Sequence, residues 1–182
     1  YTSMTFSPYT LSGHLFYGAG VELTPGDKFK IEMMYGRLKR AVDFDTTTAN
    51  NKPSYKRMGY GLKTGYKMKT GIVEAMFFRS KDEYRTFDTI PPDLSLSPQE
   101  NLVLGIKTNQ KIVKGLNIGI EYSASALTQD TRLNDSLDKT GNIFGYMGPL
   151  FHANSSSAYY NAFNTSLQYT FNVSSLSLRY ER

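Results

Sequence analysis

The 182-residue sequence predicts an all-β chain: an antiparallel up-and-down transmembrane β-barrel, read as a wall segment of about eight or nine strands from a larger barrel. Three observations predict it. Apolar and polar residues alternate in strand-length stretches, the connections go short and long by turns, and the stretches outrun the usual globular strand of about five or six residues. Lys28 to Tyr35 shows the alternation, with Phe29, Ile31, Met33 and Tyr35 on one face and Lys30, Glu32 and Met34 on the other. Successive strand side chains point to opposite faces, so a period of two means one apolar and one wet face.

The elements follow in order. Tyr1 to Phe6 is a short first stretch, ended by Ser7-Pro8-Tyr9 because Pro cannot donate to a ladder. Gly13 to Leu23 sets Leu15, Tyr17, Ala19, Val21 and Leu23 against His14, Phe16, Gly18, Gly20 and Glu22. Thr24-Pro25-Gly26-Asp27 is a turn, with Pro fixing φ and Gly accepting a positive one. Lys28 to Val42 is the next strand, and Asp43 to Ser54 a polar loop. Tyr55 to Met68 alternates most regularly, with Met58, Tyr60, Leu62, Thr64 and Tyr66 opposite Arg57, Gly59, Gly61, Lys63 and Gly65. After the Lys69-Thr70-Gly71 turn, Ile72 to Tyr84 alternates less cleanly, with Val73, Ala75 and Phe77 as its apolar face. A long loop, Arg85 to Glu100, leads to Asn101–Ile112; Val113-Lys114-Gly115 turns this strand into Leu116–Thr128. The longest loop, Gln129 to Ser156, precedes Ser157–Phe171, and Asn172-Val173-Ser174 turns into a last strand bearing Leu176, Leu178 and Tyr180. In bacterial barrels short turns face the periplasm and long loops the outside.

Composition narrows the solvent. Hydrophobic residues make up only 40% of the chain, with 14 Tyr and 11 Phe, and no run approaches the roughly eighteen apolar residues of a membrane helix. A hydropathy scan reads such a chain as soluble, because barrel strands are only half apolar. The absence of cysteine excludes a disulfide framework and thiolate chemistry. The net charge of +5 is scattered over alternating positions, which argues against a nucleic-acid partner. Tyr1 in place of Met, and an end (Leu178-Arg179-Tyr180-Glu181-Arg182) without a terminal aromatic, read as a segment incomplete at both ends.

The two faces suggest roles. Lys30, Arg57, Lys63 and Lys107 against Glu22, Glu32 and Glu121 form a prospective lumen-facing charge ladder across neighbouring strands. Its glycines relieve crowding or let a plug or neighbouring chain come close. Tyr17, Tyr35, Tyr66, Tyr122, Tyr169 and Tyr180 are candidate lipid-interface aromatics, since a Tyr ring is apolar and its hydroxyl wants water.

Chemistry is weakly signalled, and no catalytic residue, metal site or cofactor is expected. His14 and His152 lack nucleophile partners, so a barrel hydrolase is disfavoured. Asp130, Asp135 and Asp138 do not fit a calcium loop. Gly59-Tyr60-Gly61 recurs along a strand, whereas a phosphate cradle opens a helix. The Asn-x-Ser/Thr sequences at Asn134, Asn154, Asn164 and Asn172 read as composition bias.

Tyr35-Gly36-Arg37, Arg57-Met58-Gly59-Tyr60-Gly61 and Glu100-Asn101-Leu102-Val103-Leu104-Gly105 resemble segments of large, poorly characterised outer-membrane barrels of Bacteroidota. The resemblance covers residues 13 to 128 and names no activity. It implies O-glycan acceptors at Thr46, Thr89 and Ser136, within Asp45-Thr46-Thr47, Asp88-Thr89-Ile90 and Asp135-Ser136-Leu137. The expectation is therefore a non-enzymatic protein of the bacterial outer membrane, a conduit or a scaffold subunit of an envelope complex. Its partners would be outer-membrane lipid or lipopolysaccharide and other envelope proteins. A selective porin and a soluble β-sandwich binding module are the rivals.

Overall fold

The computed structural model describes residues 1–43, 53–84, 96–135, 144, 147 and 150–182. Period-two stretches joined by tight turns pair with their sequence neighbours, and the result is one nine-stranded antiparallel sheet in sequence order. Its strands are β1 (Thr2–Met4), β2 (His14–Leu23), β3 (Phe29–Lys39), β4 (Arg57–Lys67), β5 (Gly71–Asp82), β6 (Glu100–Val113), β7 (Leu116–Thr128), β8 (Ser157–Phe171) and β9 (Ser174–Glu181). No second sheet stacks on it among the described residues, so this is not a sandwich. The sheet does not close on itself either: β9 pairs only with β8, and β2 beyond Phe16 pairs only with β3. In this chain the sheet is an open, up-and-down wall of nine strands.

Register is continuous across the wall. Tyr35 stands opposite Tyr60, Tyr60 opposite Arg79, Arg79 opposite Leu102, Leu102 opposite Ala126 and Ala126 opposite Tyr159. A slip of one residue anywhere would exchange the faces of every strand beyond it. From that row to the short-turn end, β3 runs only as far as Phe29, whereas β8 runs twice as far, to Phe171. With about 3.4 Å per residue and about 4.8 Å per strand, this stagger corresponds to strands leaning roughly 35–40° from the normal to the line of short turns. The turns follow the local chemistry: Gly26 and Gly115 sit at φ of 68° and 87°, and Asn172 accepts 48°.

The first stretch departs from the sequence expectation. Its strand is shorter, Thr2–Met4, and pairs with His14–Phe16 before β2 turns into the main sheet at Tyr17. Residues 4–11 then cross the inner face, the face expected to be wet. Met4, Phe6 and Leu11 are buried there with Phe16, Met34, Met76, Phe78 and Val103. The period-two glycines make the room. A Cβ on Gly61 would lie 2.5 Å from Phe6 Cε2, and one on Gly20 would lie 2.5 Å from Met4 Sδ. Farther along, Thr10 Oγ1 lies against Gly105. Tyr9 donates its hydroxyl to the Glu181 carboxylate and accepts from Asn164 Nδ2 at 3.1 Å, reaching β9 and β8.

Gly61→Leu is expected to expel this N-terminal arm, because the new side chain occupies the volume of the Phe6 ring. Limited proteolysis should then cut within residues 5–12 while the ladders of β3–β8 stay protected. Phe6→Ala should cost about 3–5 kcal/mol in an unfolding titration, because the ring is buried in the core cluster.

Candidate functional site

The outer face is the apolar one, and it is open to solvent. Leu23, Phe29, Ile106, Leu176 and Leu178 are each about half exposed, and Tyr35 is 62% exposed. Alternation places every Asp, Glu, Lys and Arg of β2–β9 on the inner face, apart from a group at the long-loop end. That group is Arg37, Arg79, Lys81 and Glu100, with Lys39 beyond the β3 bulge. Below it the outer face carries Met33, Leu62, Phe77 and Leu104, then Ile31, Thr64, Ala75, Ile106 and Tyr122, then Phe29, Tyr66, Val73, Thr108 and Ile120, with no charge among them. Monomeric soluble proteins rarely leave so continuous an apolar surface uncovered.

The six tyrosines fall at distinct levels of this surface. Tyr17 and Tyr35 lie towards the loop end, with Arg37 5.1 Å over the Tyr17 ring. Tyr66 and Tyr180 lie in a row towards the turn end, where Tyr66 packs 5.0 Å from Phe29 and Tyr180 6.5 Å from Phe163. Tyr169 sits lower still, against Phe171, and Tyr122 is mid-surface beside Ile106. Periodicity alone leaves these levels unsorted; pairwise register supplies them.

At the loop end two features cover the apolar surface. Phe144 and Phe151 of the longest loop bury against Leu102 and Ala126, their rings 6.1 Å apart, and Phe144 also stacks on Tyr159. Beside them Glu100, whose side chain is fully buried, takes Arg79 at 2.5 Å and Lys81 at 3.4 Å, and Arg79 donates to Tyr60 Oη at 2.7 Å. Sequence reasoning missed this group. Its signal was the imperfect alternation of β5, whose outer face ends in Arg79 and Lys81.

The inner face carries the ion pairs. Lys30 meets Glu32 at 2.6 Å and Glu22 at 3.9 Å, and Lys63 meets Glu32 at 3.5 Å and Glu74 at 3.1 Å. Lys107 meets Glu121 at 3.4 Å. Arg57 forms a two-pronged pair with Asp82 at 2.7 and 2.8 Å and reaches Gln99 at 3.0 Å. All seven charged residues picked from the sequence therefore share one face and are paired; their partners Glu74 and Asp82 come from the strand that alternates least cleanly. His14 is exposed, with Nε2 3.4 Å from the Leu38 carbonyl, and His152 is exposed near the loop base. No nucleophile and base come together at either. Thr46, Thr89 and Ser136 lie outside the described residues.

Comparison with protein-family models, curated proteins and solved structures found nothing that matches this chain.

The base of the longest loop is held by Asn154, which is fully buried. Its Nδ2 donates to the carbonyls of Asp130 (2.8 Å) and Leu133 (3.3 Å), and its Oδ1 accepts from the Ser156 amide and hydroxyl. Arg132 grips Asp130 through Nε and Nη2, which holds the Asp130 carboxyl below its ordinary pKa despite partial burial. Asn154→Ala should cost about 1–3 kcal/mol per carbonyl left dry, visible as faster amide exchange at residues 130–133 and 154–157. Because the folded Asp130 pKa is depressed, its stabilisation is present above the unfolded value and disappears as pH falls through the folded one. An Asp130→Asn variant should accordingly lose less stability than the parent between neutral and acidic pH in paired urea titrations.

Proposed function

We propose that this chain is a wall segment of a larger transmembrane β-barrel in a bacterial outer membrane, acting without catalysis as a scaffold or conduit of the envelope. The observation that carries the reading is the inverted distribution of polarity. The strand charges lie ion-paired on the inner face, whose loop-end half the N-terminal arm covers, and the solvent-open outer face carries no charge from below Arg79 to the short turns. In a lipid medium that arrangement needs no further partner, because acyl chains cover the outer face and the ladders satisfy the backbone. The roughly 35–40° lean is of the size that barrel walls require. Long unpaired edges at β2 and β9 fit further strands on either side, since isolated apolar edges invite uncontrolled pairing. The resemblance to Bacteroidota barrels points the same way.

Between scaffold and conduit, one observation favours the scaffold. The N-terminal arm fills the loop-end half of the inner face, and the paired charges below it leave little uncompensated field to select an ion. A selective porin is the second reading, supported by the polar positions Asn109, Asn117, Ser166 and Gln168 nearer the short turns, which border a cavity of about 590 Å³.

Ile106→Lys separates lipid from water as the outer solvent. Facing a bilayer core, the lysine should destabilise the folded protein by about 2–4 kcal/mol in vesicle-based unfolding. Facing water it should change stability by no more than about 0.5 kcal/mol, and a chain staying monomeric in the aqueous phase without detergent would agree with that outcome. Planar-bilayer recordings then divide the two roles: a silent protein supports the scaffold, and stepwise anion or cation currents support the porin.

A further inference from the structure

We infer that the outer face at the long-loop end holds a site for the phosphate group of an anionic lipid, built by Arg37 and Lys81 over the tyrosines of β3 and β4. The inference rests on the membrane reading above and names a lipid class for one place on the wall.

The site begins with a buried charge. Glu100 occupies an outer-face position, yet its carboxylate is wholly covered and faces two cations, Arg79 and Lys81. A buried carboxylate is tolerated only with such partners, and here one negative charge serves two positive ones. Arg79 is the tightly held partner, fixed also by Tyr60. Lys81 is the loose one, with its side chain 46% exposed and its ammonium 3.4 Å from the carboxylate. The group therefore presents a net positive charge to the outside through Lys81.

A second cation stands in the same row. Arg37 pairs in register with Met58, and Met58 with Lys81, so Arg37 and Lys81 flank Met58 on the outer face. Arg37 lies over the Tyr17 ring and has no ion pair among the described residues. Nearby carboxylates are otherwise engaged: Asp82 with Arg57 on the inner face, and Glu83 with Lys56 at 3.1 Å. Beside Lys81 opens a cleft of about 610 Å³, lined by Tyr35, Met58, Tyr60, Arg79 and the engaged carboxylates Asp82 and Glu83, with Arg37 in register beside Met58 at its border.

The surroundings specify the ligand. A free phosphate needs the cations alone. This cleft lies directly above uncharged Met33, Leu62 and Phe77 in the next row towards the turns. Cations at the edge of an apolar band, with tyrosine rings between, match a molecule whose anionic head and acyl chains are joined end to end. Guanidinium supplies the two-pronged grip that suits phosphate oxygens, and ammonium supplies a point charge beside it.

The test uses the whole chain purified in a neutral detergent, with phosphatidylglycerol, phosphatidylcholine and inorganic phosphate as separate probes. Native mass spectrometry should show phosphatidylglycerol retained in preference to phosphatidylcholine, and Arg37→Gln with Lys81→Gln should lower that preference about ten- to thirtyfold. The double variant leaves Arg79 and Glu100 paired, and unchanged far-UV circular dichroism verifies its fold. A met control, Lys114→Gln at a short turn, should leave the preference intact. An undiminished preference in the double variant, or equal retention of both lipids, would overturn the site. Inorganic phosphate competing away phosphatidylglycerol at equal concentration would overturn the lipid assignment in favour of a simple anion site. Failure of the membrane reading itself is distinguishable, because the parent chain would then stay soluble without detergent and retain neither lipid.

Discussion

The structure depends on a register that holds through the interior of every ladder between β2 and β9. Each ladder joins strands adjacent in sequence, and each pair inherits the facing of the pair before it. The side-chain period of two thereby becomes a property of the whole wall, sorting the residues of eight strands into two chemically opposed surfaces. Tight turns enforce this locally: Gly26, Gly115 and Asn172 take backbone angles that bulky or β-branched residues avoid. The bulges at Arg37/Lys39 and Lys111/Val113 fall at strand ends, where a shift costs no interior pairing.

The inner face resolves two demands that pull apart. Charges in a confined space must be neutralised, and Lys30, Lys63 and Lys107 meet carboxylates on their own or adjacent strands. Breaking one such pair leaves its partner confined and uncompensated, whereas the intact pair adds little net stability. The rest of the surface must be filled. Gly20 of β2, Gly61 of β4 and Gly105 of β6 forgo packing of their own so that Met4, Phe6 and Thr10 of the N-terminal arm can come close to the backbone. The arm's Met4, Phe6 and Leu11 then supply the apolar contacts that the strands lack.

Much of this was legible in the sequence. Leu116–Thr128 and Ser157–Phe171 have the bounds that alternation assigns them, and the short turns fall where Pro, Gly and Asn place them. The strand ends near long loops were less legible: β3 stops at Lys39, and Val42 makes only an isolated bridge to Ser54. The path of the arm was hidden for a physical reason. Phe6 packs on Gly61 and Tyr9 on Asn164, and no local propensity encodes partners so far along the chain. Alternate glycines announced a close neighbour without saying which. The Glu100 group was hidden because a charged residue at the end of an apolar face looks like the face ending, and burial alone reveals otherwise.

Tyr9 also imposes an order of events. Every ladder of the main sheet forms between neighbours in sequence and can close hairpin by hairpin, whereas the partners of Tyr9 lie 155 and 172 residues away. Contacts of such separation await the chain between them, because loop-closure entropy opposes them until the intervening structure exists. The arm, which precedes the main sheet in the chain, is therefore secured after it. Its docking across the finished face reports that β8 and β9 have arrived, so the arm serves as a completion latch for the wall it crosses.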